Sequence, residues 1–173
     1  VAQQKCRAVA GFYRARTHEV IPADGCKLQP ECAGRLKKAV TDWMRENRVP
    51  AYDEKTHTGC VRHIYLRLGF VSGQALCCVV LNAKKTPQPA ALVEAILREV
   101  PQTAGIVVSY NVKRGNTILG DRFETLYGSD TIEDTLCGLR FRLSARSFYQ
   151  VNHDQAGRLY DAAVRLTGLT EKD

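Results

Sequence analysis

No stretch of this sequence reaches the about 18 consecutive apolar residues that a membrane-crossing helix needs. The opening residues, Val1-Ala2-Gln3-Gln4-Lys5, lack the apolar core of a secretion signal. A membrane protein and an exported chain are therefore excluded as expectations, and a cytoplasmic location is expected. The single methionine is Met44, so Val1 does not read as a natural start. No C-x-x-C pair occurs among the seven cysteines, Cys6, Cys26, Cys32, Cys60, Cys77, Cys78 and Cys137, and the count is odd. That argues against a disulfide framework and for reduced thiols. Cys77 and Cys78 lie inside an apolar run and read as small buried hydrophobes. His18, His57, His63 and His153 show neither metal-ligand spacing nor pairing with a cysteine nucleophile. Acidic side chains are in the minority, 18 against 25 Lys and Arg, for a net charge of +7 and a pI of about 9.1. Such a balance points towards polyanionic partners.

What is present is a globular pattern of strands and helices. Residues 6 to 21 read as a hairpin or two short strands made basic by Arg7, Arg14, Arg16 and His18. A charged, solvated edge and a phosphate-contacting hairpin are both consistent with that composition. Pro30 and Glu31 open a helix whose apolar face is Leu36, Ala39, Val40, Trp43 and Met44. Cys60 to Phe70 alternates, with Ile64, Leu66, Leu68 and Phe70 on one side and His63, Tyr65 and Arg67 on the other. Ala75 to Leu81 is a continuous apolar strand, central in its sheet. A second helix runs from Pro89 to about Val100, and Gly105 to Tyr110 is again an apolar strand.

The order strand, helix, strand, strand, helix, strand predicts an α+β fold: an antiparallel sheet in ferredoxin-like order, both helices on one face and the other face available. Short strands are expected at Thr117–Leu119, Arg122–Tyr127 and Thr131–Thr135. A basic strand, Leu139 to Leu143, then alternates Arg140 and Arg142 with Leu139, Phe141 and Leu143. After it comes the corner Ser147-Phe148-Tyr149-Gln150-Val151-Asn152. Asn152 with Gln155 has the spacing of a helix cap, the last helix runs from His153 to about Thr167, and Gly168 is its stop. A helix start beside an aromatic and an amide suits a planar ligand.

Four stretches together resemble one family. They are the corner S-F-Y-Q-V-N; Gly11 to His18 with Cys26; Asn116-Thr117-Ile118-Leu119-Gly120; and Leu126-Tyr127-Gly128 with Ile132. In this order they resemble the RNA uracil-C5 methyltransferases, specifically the RumA-like branch that modifies 23S ribosomal RNA. The resemblance implies two parts. Residues 1–138 would be a central RNA-binding domain, incomplete at its N-terminal end. Residues 139–173 would be the first strand and helix of a truncated methyltransferase domain using S-adenosylmethionine.

The resemblance also assigns roles. Gln150 would touch the methyl donor and Phe148 would line or stack in a pocket for RNA bases. The resemblance also tips the basic hairpin with Arg14 and Arg16 towards RNA contact. For Arg140, Arg142 and Arg146 the residues themselves are consistent both with contact to RNA phosphates and with a merely solvated face, and contact is the reading taken. Read without the family, Phe148 is a core aromatic, Gln150 a surface or capping amide, and Asn152 simply the helix cap. Cys26 matches one ligand of a four-iron, four-sulfur cluster whose other ligands lie before Val1, so a cluster is expected in the parent protein and not in this chain. The D-L-x-C-G-x-G loop, the nucleophilic cysteine and the general base that C5 methylation requires are absent from the sequence. The chain alone is therefore expected to bind or position ribosomal RNA without catalysing transfer. Its other partner would be the rest of the parent polypeptide, and the last helix with Gly168–Asp173 would expose a severed face through which the chain can self-associate. The alternative is a stand-alone basic RNA-binding module without enzymatic activity, against which stands the lack of a K/R-G-F-G-F-V-type strand.

Overall fold

The computed structural model of the chain describes residues 1–4, 7–17 and 19–168. Cys6, His18 and the tail from Leu169, all of which figure in the sequence reading, lie outside the described residues. Strand β6 (Ala75–Leu81) is the centre of the fold, and every one of its residues is buried. A strand can be apolar at each position only if both of its faces are covered, and here they are. Ala75, Cys77, Val79 and Leu81 face a core made with helices α1 (Glu31–Glu46) and α2 (Pro89–Glu99). Leu76, Cys78 and Val80 face a second core made with Ile132, Leu136, Leu143, Ala145, Tyr149 and Ala156.

The main sheet has four strands in the order β5-β6-β7-β8, with β5 at Val61–Leu68, β7 at Thr103–Tyr110 and β8 at Arg122–Gly128. The α+β class stands, and both early helices lie on one face. The strand order is a correction to the sequence reading. β6 and β7 are parallel neighbours joined through α2, while β5–β6 and β7–β8 are antiparallel. The sheet is thus mixed and its strands follow chain order, so the ferredoxin-like arrangement is not the one formed. The reason lies in the two apolar strands. Both need cover on two faces, so they sit side by side in the middle, and a parallel pair needs a crossover such as α2. The N-terminal segment instead makes two separate hairpins, β1 (Ala2–Gln4) with β2 (Arg7–Val9) and β3 (Gly11–Tyr13) with β4 (Val20–Pro22).

The face expected to be available is covered. Strands β9 (Thr131–Leu136) and β10 (Leu139–Ser144) pair antiparallel, Leu139 opposite Leu136 through Ser144 opposite Thr131, and turn Ile132, Leu136 and Leu143 inward. These two strands lie on either side of residue 138, where the sequence reading divides the chain. Helix α3 (His153–Thr167) follows, capped as expected: Asn152 Oδ1 accepts from Gln155 N at 3.2 Å, and Gly168 ends the helix in the left-handed region at φ 67°.

Residues Thr117–Leu119 do not form the expected strand. The buried Asn111 side chain donates to Thr117 O at 2.6 Å and Ile118 O at 3.1 Å, so local bonds replace a ladder. Gly120 closes this loop by donating its N–H to Ser109 Oγ at 2.8 Å, and a Cβ there would sit 1.8 Å from Tyr110 O. From the other side the buried Arg62 donates to Asn111 O at 2.9 Å and Lys113 O at 2.7 Å while lying over the Tyr52 ring.

One carboxylate ties the hairpin to the sheet. Asp134, 2% exposed, accepts from Phe70 N and Val71 N at 2.9 Å, Ser72 N at 3.1 Å and the Tyr149 hydroxyl at 3.0 Å. Burial alone would raise the Asp134 carboxyl, but the three amides and the hydroxyl outweigh it and hold it below its ordinary value. Burial, and then the bond to that carboxylate, push the Tyr149 hydroxyl up to about 12.

Asp134→Ala strands three amides and a hydroxyl, and should lower the unfolding free energy by about 3 kcal/mol. Tyr149→Phe removes one bond and should cost about 1 kcal/mol; urea denaturation followed by Trp43 fluorescence measures both. Stability should also fall as the solution is acidified. Burial pushes the His63 imidazole down to about 4 from 6.5, so below pH 6.5 the unfolded chain binds a proton the folded chain resists. The lowered Asp134 acts in the same direction at more acidic pH. His63→Gln should flatten the stability profile between pH 6.5 and 4.

Candidate functional site

The corner between β10 and α3 is built by short side chains bonding to their own backbone. Ser147 Oγ accepts from Ser144 N at 2.9 Å, Ser144 Oγ accepts from Arg146 N at 3.2 Å, and Ser147 N donates to Ser144 O at 3.1 Å. These bonds turn the chain sharply out of the strand. Arg67, from β5, donates to Ser147 O and lies over the Tyr65 ring. Tyr149 is then driven inward to Asp134, and its neighbour Phe148 is left 82% exposed. His153 packs its ring 5.3 Å from that of Phe70 and makes a hydrogen bond with Thr135 O at 2.9 Å, so the start of α3 is anchored as well.

Two grooves flank this corner. The first, about 530 Å³, runs between Ala10–Phe12, the loop and first turn of α1, and the outer edge of β5 from His63 to Leu68. The second, about 760 Å³, lies between β10 and α3 and is floored by Leu136, Leu139, Phe141, Tyr160 and Val164. Tyr149 and Gln150 belong to the walls of both, and Phe148 stands at the second. Gln150 is half-buried on the ridge between them. An exposed ring beside a ridge amide is a stacking face with a hydrogen-bonding group next to it, the pair of features a nucleobase uses.

The arginines chosen from the sequence fall into three situations. Arg140 and Arg142 are exposed on β10, opposite Thr135 and Glu133 of β9. Arg14 is ion-paired with Glu19 at 3.1 Å across the β3–β4 turn, and Arg16 lies exposed at that turn with φ 61°. Arg146 lies over the Phe123 ring at 4.4 Å and donates to Gly120 O at 3.1 Å and Asp121 O at 2.8 Å. It thereby joins the Asn116–Gly120 motif to the corner. Phe148 and Gln150 are thus brought together at the second groove, Arg146 is engaged by the loop at Gly120 and Asp121, and Arg14 and Arg16 sit on a different element.

Cys26 is half-buried in the loop before α1, and among the described residues no group of three or more His, Cys, Asp or Glu side chains is arranged to hold a metal ion. The described residues therefore do not fit an iron–sulfur cluster, which needs about four thiolates. Burial pushes the thiols of Cys60 and Cys77 up to about 11 and that of Cys78 up to about 12, the opposite of what a nucleophilic thiolate requires.

Sequence reasoning missed Asp134, Arg62 and Arg67. For Asp134 a signal existed, because it shares the inward face of β9 with Ile132 and Leu136. A carboxylate in an apolar alternation must find buried donors.

No family model matches the chain. It is 37% identical over 173 residues to an uncharacterized RNA methyltransferase of Clostridium acetobutylicum, covering 100% of this chain and 38% of that protein. It is 34% identical over 165 residues to one of Caldanaerobacter subterraneus subsp. tengcongensis, covering 95% and 36%. A third, from Halalkalibacterium halodurans, is 36% identical over 170 residues, covering 98% and 37%. Among solved structures, the Pyrococcus abyssi tRNA (uracil-54, C5)-methyltransferase in complex with S-adenosyl-L-homocysteine has the same fold, with a TM-score of 0.73 at 19% identity over 89% of this chain and 36% of that one. No helix among the described residues is long and apolar enough to cross a membrane. The chain is thus related along its whole length to bacterial proteins named RNA methyltransferases, and it spans little more than a third of theirs.

Proposed function

We propose that this chain is the RNA-holding portion, with the first strand and helix of the catalytic portion, of a cytoplasmic methyltransferase that transfers a methyl group from S-adenosylmethionine to C5 of a uridine in ribosomal RNA. Residues 1–138 hold the RNA and residues 139–173 begin the methyl-transfer domain, with β10 paired to β9 as the joint. The observation that carries the reading is the corner. Tyr149 is locked to Asp134 at 3.0 Å while the adjacent Phe148 is 82% exposed. Phe148 does not stand alone: with Leu139, Phe141, Tyr160 and Val164 it makes an exposed apolar groove beside the Gln150 amide, the kind of patch that marks a binding surface. Exposed Arg140 and Arg142 on the preceding strand, within a chain of net charge +7, supply the phosphate-neutralising side. The relatives' names support the RNA and the methyl transfer.

In this reading Gln150 contributes one amide to the methyl donor. The donor-binding loop, the nucleophilic thiolate and the base come from outside these residues. A chain of this sequence mixed with S-adenosylmethionine and RNA should accordingly transfer no methyl group.

Binding is tested by fluorescence anisotropy with a structured ribosomal RNA hairpin across a salt series. Affinity should fall linearly on a log–log plot of binding constant against salt. Exchanging Arg140 and Arg142 for Glu should reduce the slope by about 2. Phe148→Ala should weaken binding by about 1–3 kcal/mol at every salt concentration and leave the slope unchanged. Absence of binding even at low salt would overturn the RNA-holding role.

A further inference from the structure

The loop of residues 111–121 holds its carbonyl groups against the protein. Arg62, 4% exposed, donates to the carbonyls of Asn111, Lys113 and Gly115. His57 Nε2 donates to Val112 O at 3.1 Å, and the Asn111 side chain donates to Thr117 O and Ile118 O. Arg146 donates to Gly120 O and Asp121 O. The amides of the same loop fare differently. Lys113 N donates to Asn111 Oδ1 and Gly120 N to Ser109 Oγ, but those of residues 114–119 meet no acceptor among the described residues. A loop with bound carbonyls and unmet amides turns the positive ends of its peptide dipoles outward, an arrangement that receives anions.

The side chains around it add charge of the same sign. The loop starts where β7 ends at Tyr110, beside the end of its parallel neighbour β6 at Leu81. The space outside the carboxyl ends of parallel strands is where open sheets take ligands. A crevice of about 270 Å³ opens there, with Lys84, Lys113 and Arg122 in its walls and Asp121 as their one carboxylate. Lys84, Lys85 and Arg114 are exposed, and among the described residues none of them belongs to an ion pair. Lys113 pairs with Asp121 at 2.6 Å and Arg122 with Glu124 at 3.9 Å, all four side chains lying at the surface, where such pairs are weak. Beneath them the buried Arg62 is bonded to carbonyls, so no neighbouring carboxylate cancels its charge in these bonds. Cations gathered in this way raise the local positive potential.

We infer that this loop, together with Lys84 and Lys85, is a second phosphate-binding surface, separate from the corner, and that the phosphates it takes are those of an RNA backbone. The surface presupposes the RNA-holding role proposed above and adds to it a contact that reads no base, because ammonium groups, guanidinium groups and amides fix only where a strand lies. A backbone suits it better than one small phosphate compound. The free cations stand on two loops, Lys84 and Lys85 before α2 and Arg114 after β7, and a row of phosphates can meet both. Arg146 ties the far end of the loop to the corner, so one RNA can engage the two surfaces together. That bond gives Arg146 a positioning part: its guanidinium shapes the surface from behind through carbonyl oxygens.

The test compares two charge-reversed forms that alter the net charge equally. One carries Lys84→Glu with Arg114→Glu; the reference carries Arg45→Glu with Arg98→Glu, at exposed positions of α1 and α2. In the salt series with the ribosomal RNA hairpin, the first should lower the log–log slope by about 2, and the reference should leave it within about half a unit of the unaltered chain. In the unaltered chain, the amide resonances of residues 114–119 should shift as the hairpin is added. Equal slopes in the two reversed forms, with the unaltered chain still binding RNA, would overturn the inference and leave the RNA-holding role standing. No binding by the unaltered chain would overturn both. Inorganic phosphate at millimolar concentration separates the two sources of phosphate. If it shifts these amides to saturation and the hairpin does not, the surface serves a small phosphate compound and the RNA assignment is rejected. If Trp43 fluorescence shows the Lys84→Glu, Arg114→Glu form unfolded, the amide shifts decide: movement with RNA supports the inference, and none rejects it.

Discussion

The Asp134 carboxylate is the point at which three separate pieces of chain are made to agree. It takes the amides of Phe70, Val71 and Ser72 from the β5–β6 turn and the hydroxyl of Tyr149 from the corner, while standing on β9. A buried carboxylate without donors would be intolerable, and one with four is strongly held. The hairpin cannot slide over the sheet without breaking those bonds. Tyr149 cannot leave without opening the second core, and Phe148, the residue before it, is kept outside as a result. The exposure that supports the functional reading therefore traces to a bond made on the opposite side of the backbone.

Arg62 plays the corresponding part at the other end of the sheet. It is buried, lies over the Tyr52 ring at 4.4 Å, and gathers carbonyls of the segment that follows β7. Arg146 grips the far side of the same loop at Gly120 and Asp121. Two cations thus shape one loop through its carbonyl oxygens, with Asn111 bonding to it from within. Neither cation is held by a carboxylate in these bonds. A guanidinium suits the task because its forked donors serve several carbonyl oxygens at once.

Local signals in the sequence were enough for much of the architecture. The Asn152 cap, the Gly168 stop and the apolar face of α1 are contained within a few residues each, and all are found where the pattern puts them. The unbroken apolar run of β6 was enough to make it central. Strand partners were a different matter. Nothing in a run of Val, Cys and Leu tells β6 whether its neighbour is parallel, and the basic N-terminal segment, read as one hairpin or two short strands over residues 6 to 21, gave no sign that a second hairpin, β1 with β2, would precede β3 and β4. At the candidate site, the turn and the cap were legible. The roles of Arg146 and Arg14 were not, because their partners, the carbonyls at Gly120 and Asp121 and the Glu19 carboxylate, are fixed only by the folded geometry. Phe148 illustrates the same limit. Its composition alone suits a core, and only the competing claim of Tyr149 on the single inward position sends it out.

Tyr149 and Gln150 form part of the wall of both grooves. A shared wall makes the two spaces mechanically dependent on one another. Any occupant that displaces the corner towards α3 widens the groove along β5 and narrows the one beneath Phe148, and the reverse displacement does the opposite. The Asp134 anchor opposes both movements, so filling one groove stiffens the boundary of the other. Occupants of the two grooves would then bear on a single dipeptide without ever touching.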